Sequence, residues 1–232
     1  MIYFDGVALE TIVPVKVEDI RVSPISMGAT ARQRPIRWGQ EFVRMTGGAR
    51  TVTITFALLT NDRTQRERQL MSITNWARSD KPKKLSLPFR DNVYLECICT
   101  QLPEPSTRQW WESRLNITFT TMDNPYWNSI MEKTANCDTT FYVGGNAPPL
   151  MQIERTLSAS ATNQSYSDGT DTMTFSAIPA GKLTINLNRQ TADVNGTSIM
   201  PQYTFDSSFI LPKVGTQTVI GTGTVRWRER WE

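Results

Sequence analysis

The sequence predicts a mainly β protein with one long helix and an antiparallel sandwich in its second half. Three observations carry this. In Thr51-Val52-Thr53-Ile54-Thr55-Phe56 the apolar side chains alternate strictly with threonines, the period of a strand with one buried face. Between residues 64 and 78 the period changes, and Leu70, Ile73, Trp76 and Ala77 recur at helical spacing. Beyond residue 134 no helical period returns, and short strand-like runs follow one another with turn residues at close spacing.

Taken in order, short strands are expected at Ile2–Phe4, Leu9–Val15 and Val17–Val22. Gly28 to Arg37 reads as an extended loop, because Gly28, Pro35 and several polar residues break any period. Val43 and Met45 suggest a strand ending at Gly47-Gly48, where a turn is well supported. Asn61 or Asp62 can cap the helix, since either side chain can accept from the unpaired N–H groups of its first turn. Arg63, Arg66 and Arg68 crowd that turn with unfavourable positive charge, which Asp62 and Glu67 offset in part. Strands resume at Lys84–Leu87, Val93–Leu102 and Glu112–Met122. Asp123-Asn124-Pro125 ends the ladder, because proline has no N–H to give it. The domain boundary is expected just after, near Trp127–Thr134, dividing the chain into 1–130 and 131–232.

In the second domain the expected strands are Thr139–Val143, Leu150–Leu157, Thr172–Phe175, Lys182–Leu187, Thr191–Val194, Thr197–Ile199, Ser207–Leu211, Thr216–Val219 and Thr222–Arg230. Asn195-Gly196, between Val194 and Thr197, is the strongest hairpin signal in the chain.

Composition removes several kinds of chemistry. None of the 232 residues is histidine, which excludes Ser-His-Asp and Cys-His nucleophile activation and every imidazole-dependent zinc site. The three cysteines, Cys97, Cys99 and Cys137, are too few for a four-thiolate site. Cys97 and Cys99 share one strand face and read as buried thiols. Their odd number argues for a reducing compartment. The N-terminus lacks the pattern of a signal peptide and no run is long enough to span a membrane. The expected site of synthesis is therefore the cytoplasm, with no membrane partner. The formal charge of +3 does not by itself argue for nucleic-acid binding. It is unevenly placed: residues 1–126 hold 17 Lys and Arg against 13 Asp and Glu, whereas residues 127–232 hold 8 against 9.

The order of these elements resembles the distal tail protein (Dit) family of siphophages and prophages of Gram-positive bacteria. In the first half the resemblance rests on Phe4-Asp5-Gly6-Val7, the strand ending at Gly47-Gly48, the alternating strand Val52–Phe56 and the helix with Leu70 and Trp76. Lys84-Leu85-Ser86-Leu87-Pro88 and Asp123-Asn124-Pro125-Tyr126-Trp127 follow in family order. In the second half it rests on Pro179 through Asn186, the hairpin at Asn195-Gly196 and the last strand, Thr222–Trp231. No single motif is specific; their order and spacing carry the resemblance.

The resemblance implies an N-terminal tail-tube-like β-sandwich or barrel with one α-helix, and a C-terminal galectin-like antiparallel β-sandwich. It implies a hexameric ring at the tail tip of a virion, joining the tail tube protein to the tail-associated lysin or hub. Receptor-binding or baseplate proteins would attach to it. Tape measure protein and DNA would pass through the channel without specific binding. No catalytic residue, cofactor or metal is expected. At 232 residues there is no room for the sugar-binding insertions of some relatives.

A ring of identical copies needs two unlike flanks on each subunit. The Arg-rich stretch Gly28–Gly48, with Arg32, Arg34, Arg37 and Trp38, is the expected subunit interface, since Arg and Trp dominate interface energetics. Other features take plainer readings. Trp110-Trp111 anchors core or loop. Arg226, Arg228 and Arg230 mark a solvated sheet face or the charges of an edge strand. Asp168 and Asp171 lack the regular spacing of a calcium loop. The alternative function is a carbohydrate-binding, lectin-like module for host adhesion, which the second sandwich would suit. The missing histidine and the few aromatics outside expected strands in that half weigh against it. Paired carboxylates of a hydrolase remain a weaker, third reading.

Overall fold

The computed structural model describes residues 1–25, 27–33, 40–60, 62–103, 114–122 and 124–232, with only the backbone course over 27–33 and 40–47. Trp110, Trp111 and Asp123 lie outside the described residues. The chain divides into two compact units, Met1–Trp127 together with Glu232, and Asn128–Trp231.

The first unit runs β1 (Tyr3–Phe4), β2 (Val7–Ala8), α1 (Leu9–Ile12), β3 (Val15–Val22), β4 (Met27–Gln33), β5 (Gln40–Gly47), β6 (Thr51–Leu58), α2 (Arg63–Ala77), β7 (Lys83–Ser86), β8 (Val93–Gln101) and β9 (Arg114–Thr121). Its sheet is antiparallel in the order β2-β1-β7-β8-β9-β6-β3. The alternation read in β6 sets the core face: Val52, Ile54 and Phe56 are fully buried. They stand opposite Phe119, Ile117 and Leu115 of β9, so both strands bury the same side. Each such side chain contributes about 1.5–3 kcal/mol by leaving water.

Helix α2 closes over this face. Asp62 caps it, accepting from the Thr64 N–H at 3.1 Å. Its buried side chains are Arg66, Gln69, Leu70, Ile73 and Ala77. Trp76 is half-buried and joins the helix to the sheet. Its indole N–H donates to the Val7 carbonyl at 3.0 Å, and its ring meets Phe4 at 5.7 Å and Phe119 at 6.0 Å, both edge-on.

Two expectations for this unit need correction. The stretch from Leu9 opens with a helical turn, α1, rather than a strand. Local bonds decide it: both Glu10 carboxylate oxygens accept from the Ile2 N–H at 3.1 Å, and the Thr11 hydroxyl donates to the Ala8 carbonyl at 2.7 Å. Such bonds satisfy backbone groups that a ladder would otherwise use. The expected loop from Gly28 is, as far as Gln33, strand β4, paired with β5 from Met27↔Gly47 to Gln33↔Gln40.

After β10 (Trp127–Ser129), at the boundary, the second unit runs β11 (Lys133–Asn136), β12 (Thr140–Val143), β13 (Ala147–Leu157), β14 (Ala161–Ser167), β15 (Thr172–Ile178), β16 (Gly181–Asn186), β17 (Thr191–Val194), β18 (Thr197–Ser198), β19 (Gly215–Thr218) and β20 (Thr224–Trp231). One antiparallel sheet has the order β11-β20-β13-β16-β17-β18. The long-range pair β12–β19 and the hairpin β14–β15 form the facing layer, joined where Ser167 and Ile220 exchange backbone bonds of 3.0 and 2.7 Å. Between the layers lie Met151, Ile153, Leu183, Ile185, Val225 and Trp227 from the first sheet. Phe141, Tyr166, Met173, Phe175 and Val219 meet them from the second. Phe141 and Trp227 stack at 4.6 Å across the sandwich.

The expected hairpin turn is present: Asn195 and Gly196 have φ of 51° and 81° between the paired residues Val194 and Thr197. Both central residues have the positive φ that the type I′ turn demands. The expected strand at Ser207–Leu211 is absent, and residues 204–208 form a bonded turn against β15 instead.

Gly145 holds the start of β13 against the end of β20. Its φ is +95°, and an added Cβ would run into the Arg230 carbonyl, which is backbone and cannot swing away. Gly145→Ala is expected to destabilise the second unit by roughly 2 kcal/mol or more, from left-handed strain and the clash together. Chemical denaturation followed by the summed fluorescence of the seven tryptophans, the buried Trp227 among them, measures it.

Candidate assembly surfaces

The expected interface residues fall on or beside one feature. Arg32 lies in β4, opposite Glu41 of β5; Arg34, Arg37 and Trp38 lie outside the described residues, in the connection between the two strands. Among the described residues β4 and β5 pair only with each other. A two-stranded ribbon is at best marginally stable by itself. Its register slips between Thr30 and Ala31, a bulge that increases local twist.

The sheet of the first unit offers a second surface at β3, which pairs with β6 and with no other strand among the described residues. Among the described residues no strand lies along its other edge. A register shift between Val17 and Asp19 breaks its regularity, and the ion pair Asp19–Arg21 at 2.6 Å adds charge to the strand itself. These are the devices by which proteins limit indiscriminate strand addition.

The arginines of the last strand need a correction. β20 is an interior strand, paired with β11 on one side and β13 on the other, so Arg226, Arg228 and Arg230 do not mark an edge. Neighbouring strands and loops supply their partners. Arg226 meets Glu132 at 3.2 Å and Glu154 at 3.0 Å, Arg228 bonds the Ile130 carbonyl, and Arg230 bonds the Pro148 carbonyl. Glu229 points to the opposite side, where Lys133 at 2.6 Å and the Gly144 N–H at 2.8 Å hold its carboxylate.

The three thiols are shielded and the Asp168 carboxylate is occupied. Burial pushes the Cys97 thiol far up, with a smaller contribution from neighbouring Cys99. Burial also raises Cys99, and raises Cys137 together with the Asp138 carboxylate. Protonated thiols are poor nucleophiles and poor metal ligands. Asp168 spends its carboxylate on its own loop: Oδ1 accepts from the N–H groups of Thr170 at 2.9 Å and Asp171 at 2.7 Å, and Oδ2 meets Lys213 at 3.3 Å. Among the described residues no group of three or more His, Cys, Asp and Glu could hold a metal ion. No helix among them is long and apolar enough to cross a membrane.

This architecture, mainly antiparallel β in two units with one long helix, has the fold of a solved phage protein. It superposes on the SPP1 Dit protein, described as a paradigm of the hub adsorption apparatus in phages infecting Gram-positive bacteria, with a TM-score of 0.75. The superposition covers 100% of this chain and 98% of that one at 16% sequence identity. A chain of the phage P2 baseplate in its activated conformation with calcium aligns with a TM-score of 0.48 and 12% identity, over 96% of this chain and 92% of that one. No family model and no curated protein matches the chain by sequence.

Two solution properties follow. In the folded protein at pH 8 a disulfide-exchange reagent is expected to modify half-buried Cys99 first and buried Cys97 and Cys137 slowly, and all three at once in denaturant; a timed thiol titration reads this. For Asp168 burial pushes the carboxyl up, but the backbone bonds and Lys213 together hold it below its usual value. Its stabilising contribution is therefore present above the unfolded value near pH 4 and lost as pH falls through the lower folded value. Asp168→Asn should melt below the wild type at pH 7, with the gap narrowing at pH 3, as scanning calorimetry would show.

Proposed function

We propose that this chain is a structural component of a phage or prophage tail tip, a distal tail protein whose copies close into a six-membered ring. The ring joins the tail tube protein to the baseplate hub or tail-associated lysin, carries receptor-binding or baseplate proteins, and passes tape measure protein and DNA through its channel. One observation supports the reading above the rest: the full-length superposition on the SPP1 Dit protein, which takes in both units of this chain.

The surfaces of the first unit fit the requirement of ring closure. A heterologous contact repeats around a circle only if each subunit carries two different complementary patches. The ribbon β4–β5, with Arg32, Arg34, Arg37 and Trp38, is one, and the free edge of β3 is the other. Pairing of the ribbon or its flank with the neighbour would satisfy backbone groups that the isolated subunit leaves to water. The closed carboxylate pairs and shielded thiols of both units suit a scaffold that needs binding surfaces and no reaction.

The test is assembly. Purified protein co-expressed with its tail neighbours is expected to form rings in negative stain. Arg34→Ala with Trp38→Ala should weaken each contact by about 30-fold or more, the effect of losing interface hot spots, and shift the mass seen by light scattering toward the monomer. A strictly monomeric protein in the presence of those neighbours overturns the reading.

A further inference from the structure

Among the 232 residues asparagine precedes glycine once, at Asn195-Gly196. Such a pair is chemically labile, because glycine has no side chain to shield its amide nitrogen and lets the backbone reach conformations closed to other residues. The Gly196 nitrogen can bond to the side-chain carbonyl carbon of Asn195. Its proton passes by way of water to the departing amide, which leaves as ammonia, and a cyclic succinimide remains. Water then opens that ring at either carbonyl. The product is aspartate, or isoaspartate with the main chain rerouted through the side chain.

Asn195 and Gly196 are both exposed, so access of water does not hold this reaction back. The geometry of the turn does, because its two reacting groups face different partners. The Asn195 Oδ1 accepts from the Lys182 N–H at 2.9 Å, and the Asn195 N–H donates to the Lys182 carbonyl at 3.0 Å. These bonds lay the side-chain amide over the start of β16, where a Cβ added to Gly181 would strike its Nδ2 and Cγ. The Gly196 N–H is turned the other way and donates to the Asp193 carboxylate at 3.2 Å. Drawing a proton from an N–H beside a carboxylate would set a second negative charge next to the first.

We propose that Asn195 is a deamidation site kept silent by its own hairpin. Lys182 withholds the carbon under attack, Asp193 withholds the attacking nitrogen, and conversion follows the opening of β17–β18 rather than time spent folded. That opening is local. β18 is two residues long, and among the described residues it pairs with β17 alone, through Asp193↔Ser198 and Val194↔Thr197. Short edge elements of this kind belong to the low-stability end of a fold. An isoaspartate would add a carbon to the main chain inside a two-residue turn, and the register on either side of it could not re-form.

The proposal concerns the chain by itself and stands or falls apart from the tail reading. Protein is held at pH 8, folded and in denaturant, and timed samples are digested and mapped by mass spectrometry for aspartate and isoaspartate at position 195. Exposed Asn92, whose amide partner is the β-branched Val93, serves as the internal control and is expected to convert little in either state. Conversion of Asn195 should be about tenfold or more slower in the folded protein, the scale of two hydrogen bonds that must break first. Asp193→Ala should raise the folded rate about threefold or more and leave the denatured rate as it was. Asp193→Asn, which keeps an acceptor oxygen without the charge, should fall between. A wild-type folded rate equal to the denatured one overturns the proposal, as does a folded rate indifferent to both substitutions or one that merely tracks a lowered melting point. If Asp193→Ala does not fold, Asp193→Asn and the wild-type comparison decide.

Discussion

The constraint on which the rest of this structure depends is the pairing of strand backbones. A sheet leaves a row of N–H and C=O groups at each edge, and every edge must be shortened, covered, charged or given a partner. The second unit ends its main sheet with the two-residue strand β18 on one side and the four-residue β11 on the other. The first unit ends one side of its sheet with the two-residue β2, followed at once by α1. Its other side is different: β3 is eight residues long, and the ribbon β4–β5 follows it in sequence. Among the described residues, long strands with a single partner thus occur on both units, β3 and the β4–β5 ribbon on the first and the β14–β15 pair on the second.

Side-chain chemistry follows the same economy. Ion pairs bind one strand to the next rather than gather in a cleft: Lys182 and Arg226 both reach Glu154 across the main sheet of the second unit. With their side chains partly exposed, such pairs are worth about 0–1 kcal/mol each. Their larger effect is on register, because a one-residue slip would place each charge on the core face. The sandwich is then specified by alternation inside and by charge outside.

Much of this was legible in the sequence, for identifiable reasons. Val52, Ile54 and Phe56 alternate because one face of β6 is buried and the other is not, and Leu70, Ile73 and Ala77 recur because α2 buries one stripe. Asn195-Gly196 announced its turn through the rarity of residues that tolerate positive φ. The same logic applies to Asp5-Gly6, with φ of 52° and 80° between β1 and β2, where the signal was present and went unused. Strand β14 was invisible because, of Ala161 to Ser167, only Tyr166 is buried. The arginine stretch drew attention by composition, but composition could not separate a loop from the paired ribbon that begins there.

The placement of β20 carries a consequence for biogenesis. Ribosomes deliver this strand after every other member of its sheet, yet it fills an inner position between β11 and β13. Until it emerges, β13 has an unfilled side, β11 has nothing to lie against, and Trp227 is missing from beneath Phe141. Completion of that sandwich must therefore await β20 and be cooperative, with long-range closure as its slow step. Removing β20 would open the middle of the sheet and leave β11 without the strand it pairs with.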